Sequence, residues 1–123
     1  MTYRALLVDD DSMVLKTLQS VFKRREFEVS TAVSASEAQI ILEQASFDLV
    51  VTDMRMESET SGFEVVRKAK ASGKNPLVVI LSAYPIPVTE WREAGADAMF
   101  MKGGGIFRIL DDIEKLLQTH AHR

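Results

Sequence analysis

Three adjacent carboxylates follow an apolar stretch near the start of the chain. The segment LLVDDDS, residues 6–12, places Asp9, Asp10 and Asp11 at one chain reversal. Neighbouring carboxylates repel each other by roughly 4 kcal/mol at 4 Å when the effective dielectric constant is near 20. A positive group must offset this repulsion, and a helix N-terminus, a lysine and a bound cation are the three candidates.

Further polar side chains come directly after other apolar runs. Asp53, Ser82 and Lys102 each follow a segment that has the composition of a buried strand. A cluster of carboxylates with few nitrogen ligands suits a hard cation such as Mg²⁺. A carboxylate beside a metal, a lysine and a hydroxyl suits phosphoryl transfer, because the carboxylate can be the nucleophile while the other groups neutralise the phosphoryl oxygens.

Strand-like and helix-like segments alternate along the chain and must position these side chains. Apolar runs predict five strands, at residues 3–8, 27–32, 47–52, 77–81 and 98–101. Helical spacing of apolar residues predicts a first helix that Asp11 or Ser12 can cap, and further helices at residues 34–45, 62–71, 88–94 and 106–117. Ser34 and Glu37 form a capping-box pattern at the second of these helices.

Repeated strand–helix units predict an α/β fold with a parallel sheet covered by helices on both faces. Right-handed crossovers place the carboxyl ends of all the strands at one edge, where ligands of such folds bind. The polar residues that follow the strands are therefore expected to meet at this edge. No linker or internal repeat divides the sequence, so we expect residues 1–123 to form one domain.

The order of these motifs resembles the receiver domain of two-component response regulators. The resemblance runs from LLVDDDS to the final helix and includes VVTDMRM, VVILSAY and EAGADAMFMK. It implies a doubly wound, flavodoxin-like sheet of five parallel strands in the order 2-1-3-4-5. It also implies a phosphoprotein that acts as a signalling switch and catalyses only its own phosphorylation and dephosphorylation.

The resemblance assigns roles to the acids at the sheet edge. It implies that Asp53 receives a phosphoryl group from a phosphohistidine on a sensor histidine kinase or a histidine phosphotransfer protein. It implies Mg²⁺ as the cofactor, with Asp10 as a direct ligand and Asp9 as a ligand through water. Asp53 and the backbone carbonyl of Arg55 complete the implied set of metal ligands.

Ser82 and Lys102 are implied to contact the phosphoryl oxygens. They begin and end the segment that contains the fourth helix and the fifth strand. We therefore expect the fourth helix, the fifth strand and the last helix to form the surface that changes on phosphorylation and that offers a homodimer interface.

The sequence departs from the usual receiver pattern at several positions. Glu57 stands where the family usually has a proline, and Gly62 lies one residue later than the common spacing, which predicts a more mobile loop after Asp53. Three glycines follow Lys102 in place of the usual proline, and Met99 occupies the position of the usual aromatic switch residue.

Two alternative functions remain open from the sequence. The altered loop after Asp53 allows a degenerate receiver that binds a partner without phosphorylation. Asp9 and Asp11 form an Asp-x-Asp pattern, and with Ser82 and Lys102 they resemble a phosphatase of the haloacid dehalogenase type. The short chain disfavours the phosphatase, because such enzymes usually need a larger core and a cap.

Composition excludes several other classes of function. The net charge of −3 argues against direct nucleic-acid binding, and the absence of cysteine excludes disulfides and zinc–thiolate sites. No apolar run approaches the 18 or so residues of a membrane span, and the N-terminus lacks the layout of a signal peptide. We therefore expect a cytoplasmic protein without membrane contact.

Overall fold

Strands and helices alternate strictly in the structure, a computed structural model that describes residues 2–120. In that part of the chain the elements are β1 (Arg4–Val8), α1 (Ser12–Arg24), β2 (Glu28–Ala32), α2 (Ala35–Gln44), β3 (Leu49–Thr52), α3 (Ser61–Ala71), β4 (Leu77–Ser82), α4 (Val88–Ala94), β5 (Ala98–Met101) and α5 (Ile106–His120).

The five strands form one parallel sheet in the order β2-β1-β3-β4-β5, which confirms the predicted fold and strand order. Val8, the last residue of β1, pairs with Ala32 of β2 and with Thr52 of β3. Ser82 of β4 likewise pairs with Met101 of β5. Thr52 of β3 pairs with Ile80 of β4, so β4 and β5 continue beyond the level at which β1, β2 and β3 end. The residues that follow the five strands still emerge along one edge of the parallel sheet.

Two apolar cores flank the sheet, because successive side chains of a strand point to opposite faces. Leu7 packs on the side of α1 and α5, where Phe22 and Ile113 are almost completely buried. Leu6 packs on the opposite side, against α2 and α3, where Val66 is completely buried. Burial of each such side chain stabilises the fold by about 1.5–3 kcal/mol. The packed strands therefore fix the positions of the residues at their ends.

Several predicted boundaries differ slightly from the observed ones. The sequence predicts Phe27 in the second strand, but Phe27 lies in the turn between α1 and β2, where its N–H donates to the carbonyl of Phe22. The last helix continues to His120, three residues beyond the prediction. The predicted caps are confirmed, since Asp11 caps α1 and Ser34 caps α2.

Within residues 2–120, no helix combines the length and the apolar character needed to cross a membrane.

Candidate functional site

The three adjacent acids after β1 have three different environments. Asp9 is 1% exposed, and its Oδ1 accepts a hydrogen bond from the backbone N–H of Asp11 at 2.9 Å. Asp10 is exposed to solvent. The side chain of Asp11 accepts from the backbone N–H of Met13 at 2.9 Å and thereby caps α1. Two of the three charges thus have backbone donors as partners, which offsets part of their mutual repulsion.

Asp53 lies at the end of β3, directly beside Asp9. Its backbone N–H donates to the carbonyl of Val8 at 2.8 Å, and its Oδ1 accepts from the N–H of Met54 at 2.8 Å. Lys102, which follows β5, places its Nζ 2.9 Å from Oδ2 of Asp9 and 3.2 Å from Oδ1 of Asp53. One ammonium group therefore bridges carboxylates that follow two neighbouring strands.

One carboxylate oxygen from each of Asp9, Asp10 and Asp53 lies within 4.8 Å of the other two. Oxygen donors of this kind, without nitrogen or sulfur ligands, fit a hard cation such as Mg²⁺. Both oxygens of Asp9 already accept hydrogen bonds, from Asp11 and Lys102. The carboxylate of Asp10 forms no hydrogen bond or ion pair with the described residues, so Asp10 is the freest of the three acids to bind a cation directly.

The environment of Asp53 opposes its ionisation. Burial raises the pKa of its carboxyl, and the negative charge of Asp9 raises it further, while Lys102 lowers it only in part. Burial lowers the pKa of Lys102, but its hydrogen bond to Asp9 and the charges of Asp9 and Asp53 outweigh burial and leave that pKa raised. The lysine is therefore a permanent cation beside a carboxylate that binds protons more tightly than usual.

Ser82 ends β4 and is 2% exposed, and its hydroxyl accepts from the backbone N–H of Tyr84 at 3.1 Å. Its carbonyl accepts from the backbone N–H of Lys102 at 2.8 Å, which joins the ends of β4 and β5. In the described part of the chain the hydroxyl of Ser82 forms no hydrogen bond with Asp53 or Lys102. Together with Met54 and Arg55 it instead lines an adjacent cavity of about 220 Å³.

Arg55 lies in the loop after β3 and is exposed. Its guanidinium stacks 4.3 Å from the centre of the Tyr84 ring, a distance typical of a cation–π contact. This contact links the loop after β3 to the loop after β4, next to the cavity lined by Ser82. The sequence did not predict it.

Two further residues shape the loop after Asp53. The carboxylate of Glu57 accepts hydrogen bonds from the backbone N–H groups of Ala35 and Ser36 at 3.0 and 3.3 Å. The N–H of Gly62 donates to the carbonyl of Met54 at 2.7 Å. The sequence marked both positions as unusual, but it contained no signal that Glu57 reaches the first turn of α2.

The chain is similar to proteins of a known signalling family. The response regulator receiver domain model matches residues 5–114. Sporulation initiation phosphotransferase F of Bacillus subtilis is 28% identical over 124 residues, which cover 99% of both chains. The chain spans 18% of the length of three alginate biosynthesis transcriptional regulators and 13% of a gliding motility regulatory protein.

Solved structures agree with this match. The CheY-like receiver domain protein of Methanospirillum hungatei is 25% identical, with a TM-score of 0.89 over 99% of this chain and 98% of the other. The response regulator TrrA of Thermotoga maritima, in complex with Mg²⁺ and BeF, is also 25% identical, with a TM-score of 0.82 over 93% of this chain and 98% of the other. The family match, the strand order and the acid cluster lead to one conclusion: this chain belongs to the response regulator receiver domain family of two-component signalling systems.

Proposed function

We propose that this receiver domain is a phosphoacceptor switch in which Asp53 takes a phosphoryl group from a phosphohistidine. The observation that carries the proposal is the position of Lys102, whose ammonium lies 3.2 Å from Oδ1 of Asp53 while it is held by the buried Asp9. An ammonium at this position is well placed to neutralise oxygens of a phosphoryl group on Asp53.

The transfer itself exchanges one bond for another. An oxygen of the Asp53 carboxylate forms a bond to phosphorus as the bond from phosphorus to the donor imidazole nitrogen breaks, and that nitrogen keeps the electron pair. Lys102 and the hydroxyl of Ser82 then contact the phosphoryl oxygens. The hydroxyl of Ser82 can donate a hydrogen bond to a phosphoryl oxygen while it accepts from the N–H of Tyr84, because a hydroxyl is both a donor and an acceptor.

The acid cluster supports Mg²⁺ as the cofactor. In this proposal Asp10 and Asp53 bind the ion directly, Asp9 binds it through water, and the backbone carbonyl of Arg55 completes the protein ligands. The ion, when bound, neutralises negative charge on the phosphoryl oxygens. The indirect role of Asp9 agrees with its geometry, since both of its oxygens already have partners.

The proposed phosphoryl donor is a sensor histidine kinase or a histidine phosphotransfer protein. Support comes from the family and from the relative named as a sporulation initiation phosphotransferase, which this chain matches over 99% of both lengths. The net charge of −3 supports a role without direct nucleic-acid contact.

The proposed output surface consists of α4, β5 and α5. Each of these elements exposes an apolar side chain: Val88 at 49%, Met101 at 40% and Phe107 at 57% exposure. Exposed apolar groups on three adjoining elements suit a protein interface, and the proposal includes a second copy of the chain as one partner.

Acetyl phosphate provides the direct test of this function. The protein is incubated with acetyl phosphate and Mg²⁺, and its intact mass is measured at neutral pH and after mild alkaline treatment. We expect one labile phosphate per chain in the wild type and none in Asp53→Asn, because an amide keeps the shape of the carboxylate but is not a nucleophile. Incorporation into Asp53→Asn at the wild-type rate would overturn the assignment of Asp53.

The mass measurement and an assay of phosphomonoester hydrolysis together separate the two alternative functions. A receiver that acts without phosphorylation stays at its unmodified mass under all conditions. A phosphatase of the haloacid dehalogenase type instead turns over a phosphomonoester such as p-nitrophenyl phosphate.

A further inference from the structure

The loop between Asp53 and α3 is closed at its base and bound to a second helix at its tip. At the base, the N–H of Gly62 donates to the carbonyl of Met54 at 2.7 Å. At the tip, the side chain of Glu57 accepts hydrogen bonds from the first turn of α2. The segment between Asp53 and Glu57 is therefore held at both of its ends.

The bonds of Glu57 to α2 use both oxygens of its carboxylate. Oε1 accepts from the N–H of Ala35 at 3.0 Å, and Oε2 accepts from the N–H of Ser36 at 3.3 Å. These N–H groups lie in the first turn of the helix, where the backbone donors have no partner within the helix. Ser34 already accepts from the next N–H, that of Glu37, at 3.0 Å. Glu57 thus completes a cap that Ser34 begins, and its negative charge is favoured by the helix dipole.

The bonds from Glu57 to α2, the Glu57 tether, pass across the end of β1, the strand that Asp9 and Asp10 follow. β1 lies between β2 and β3 in the sheet, and Glu57 joins the connection after β3 to the helix that follows β2. Arg55, whose carbonyl is a proposed metal ligand, lies midway between Asp53 and Glu57. The backbone that includes this carbonyl is therefore restrained by a contact outside the acid cluster.

We propose that Glu57 is a positioning residue for the metal site: its bonds to the N-terminus of α2 restrain residues 53–57, which include the carbonyl of Arg55 that would bind the cation. This inference rests on the proposed function and deepens it. It also gives a physical role to an acid at the position where the family usually has a proline. A proline restricts the loop through its own ring, whereas Glu57 restricts it through hydrogen bonds.

The test compares Mg²⁺ affinity among matched variants of the full chain. Mg²⁺ is titrated into the wild type, Glu57→Ala, Glu57→Gln and Glu59→Ala, and the Kd is measured by calorimetry and by amide chemical shifts. Glu59 is the control, because it is an exposed acid of the same loop and forms no hydrogen bond or ion pair with the described residues. Both alanine variants remove one negative charge, but only Glu57→Ala removes the tether.

We expect Glu57→Ala to weaken Mg²⁺ binding about tenfold, the lower end of the effect of losing a group that orients a metal ligand. Glu59→Ala should stay within about twofold of the wild type. Glu57→Gln keeps one carbonyl oxygen as an acceptor, so its Kd should lie between those of the wild type and Glu57→Ala. Amide hydrogen exchange at Ala35 and Ser36 should be faster in Glu57→Ala than in the wild type, in the absence of metal.

Equal Mg²⁺ affinities for Glu57→Ala and Glu59→Ala would overturn the positioning role. If Glu57→Ala does not fold, as judged by the amide shifts of β1 and β3, then Glu57→Gln is compared with Glu59→Gln. Equal Mg²⁺ affinities of these two variants would likewise overturn the positioning role. A wild type that binds no Mg²⁺ would instead contradict the proposed function, so the two failures are distinguishable.

Discussion

Two connections leave the sheet beside the acid cluster, and they are held very differently. The β3–α3 connection is closed by the bond between Gly62 and Met54 and is tethered to α2 by Glu57. The β4–α4 connection has one comparable bond at its start, from the N–H of Tyr84 to Ser82. It then passes through two prolines, which have no N–H group to donate.

The helices that follow these connections also differ in how firmly they pack against the sheet. α3 buries Val65, Val66 and Ala69 against the sheet, whereas no residue of α4 is buried. Elements with few buried apolar contacts open locally at the lowest free energy. The firmly held connection thus carries Asp53, the proposed phosphoacceptor, while the lightly held one is expected to respond to a change in the site.

The largest change in stability is expected from a substitution at the base of the β3–α3 connection. An alanine Cβ at Gly62 would lie 2.6 Å from the carbonyl oxygen of Asp53 and 2.7 Å from Cα of Met54, so the backbone must shift. We expect Gly62→Ala to reduce the free energy of unfolding by about 1–3 kcal/mol, as overpacking of a tight site does. Urea denaturation measures this change.

Gly103→Ala is the control for that substitution, because a Cβ at Gly103 meets no atom within 4 Å. Its stability should stay within about 0.5 kcal/mol of the wild type. Equal effects of the two alanines would show that the β3–α3 connection is not tightly packed against Asp53.

A smaller effect, of opposite sign, is expected from removing the charge of Asp53. Burial, and then the charge of Asp9, raise the pKa of this carboxyl in the folded protein. A carboxyl whose folded-state pKa exceeds its unfolded value favours folding below the unfolded pKa, and this contribution is lost as the pH rises through the folded pKa. We therefore expect metal-free Asp53→Asn to be more stable than the wild type at pH 7.5, with a difference that shrinks towards pH 4.

Thermal or urea denaturation at both pH values measures the effect of Asp53→Asn. Glu59→Gln is the control for the loss of one negative charge at an exposed position, and its stability should match the wild type within about 0.5 kcal/mol. A variant Asp53→Asn that is less stable than the wild type at pH 7.5 would show that the ion pair with Lys102 outweighs burial.

The smallest effect is expected at the contact that joins the two connections. Arg55 and Tyr84 are both exposed, and cation–π contacts at such sites contribute about 0.5–1 kcal/mol. A double-mutant cycle with Arg55→Ala and Tyr84→Ala should give a coupling of about 0.5 kcal/mol in urea denaturation. Strict additivity of the two substitutions would mean that the connections are energetically independent.

The strand ends were predictable from sequence because parallel strands bring their carboxyl ends together whatever the loops do. The pairing of Lys102 with Asp9 and Asp53 follows from that topology, and the cap formed by Asp11 follows from its position before an apolar helix. Both depend on local patterns or on the order of the elements, which a sequence contains directly.

The tether formed by Glu57 could not be predicted, because it depends on how two loops from different parts of the chain approach each other. A glutamate in a polar loop has the same sequence pattern whether it is solvated or bonded to a distant helix. The stacking of Arg55 on Tyr84 was missed for the same reason. The unusual spacing of Gly62 was visible, but its close approach to the backbone of Asp53 required the structure.

Amide chemical shifts with and without beryllofluoride, a mimic of the acyl phosphate, show most directly whether the β4–α4 side of the site responds to phosphorylation. They are recorded for the wild type in the presence of Mg²⁺, with Asp53→Asn as the control that cannot bind the mimic at a carboxylate. The predicted result is a set of large changes across residues 84–110, in addition to those beside Asp53. Changes confined to residues 53–62, with residues 84–110 silent, would contradict the claim that the lightly held side of the site responds to phosphorylation.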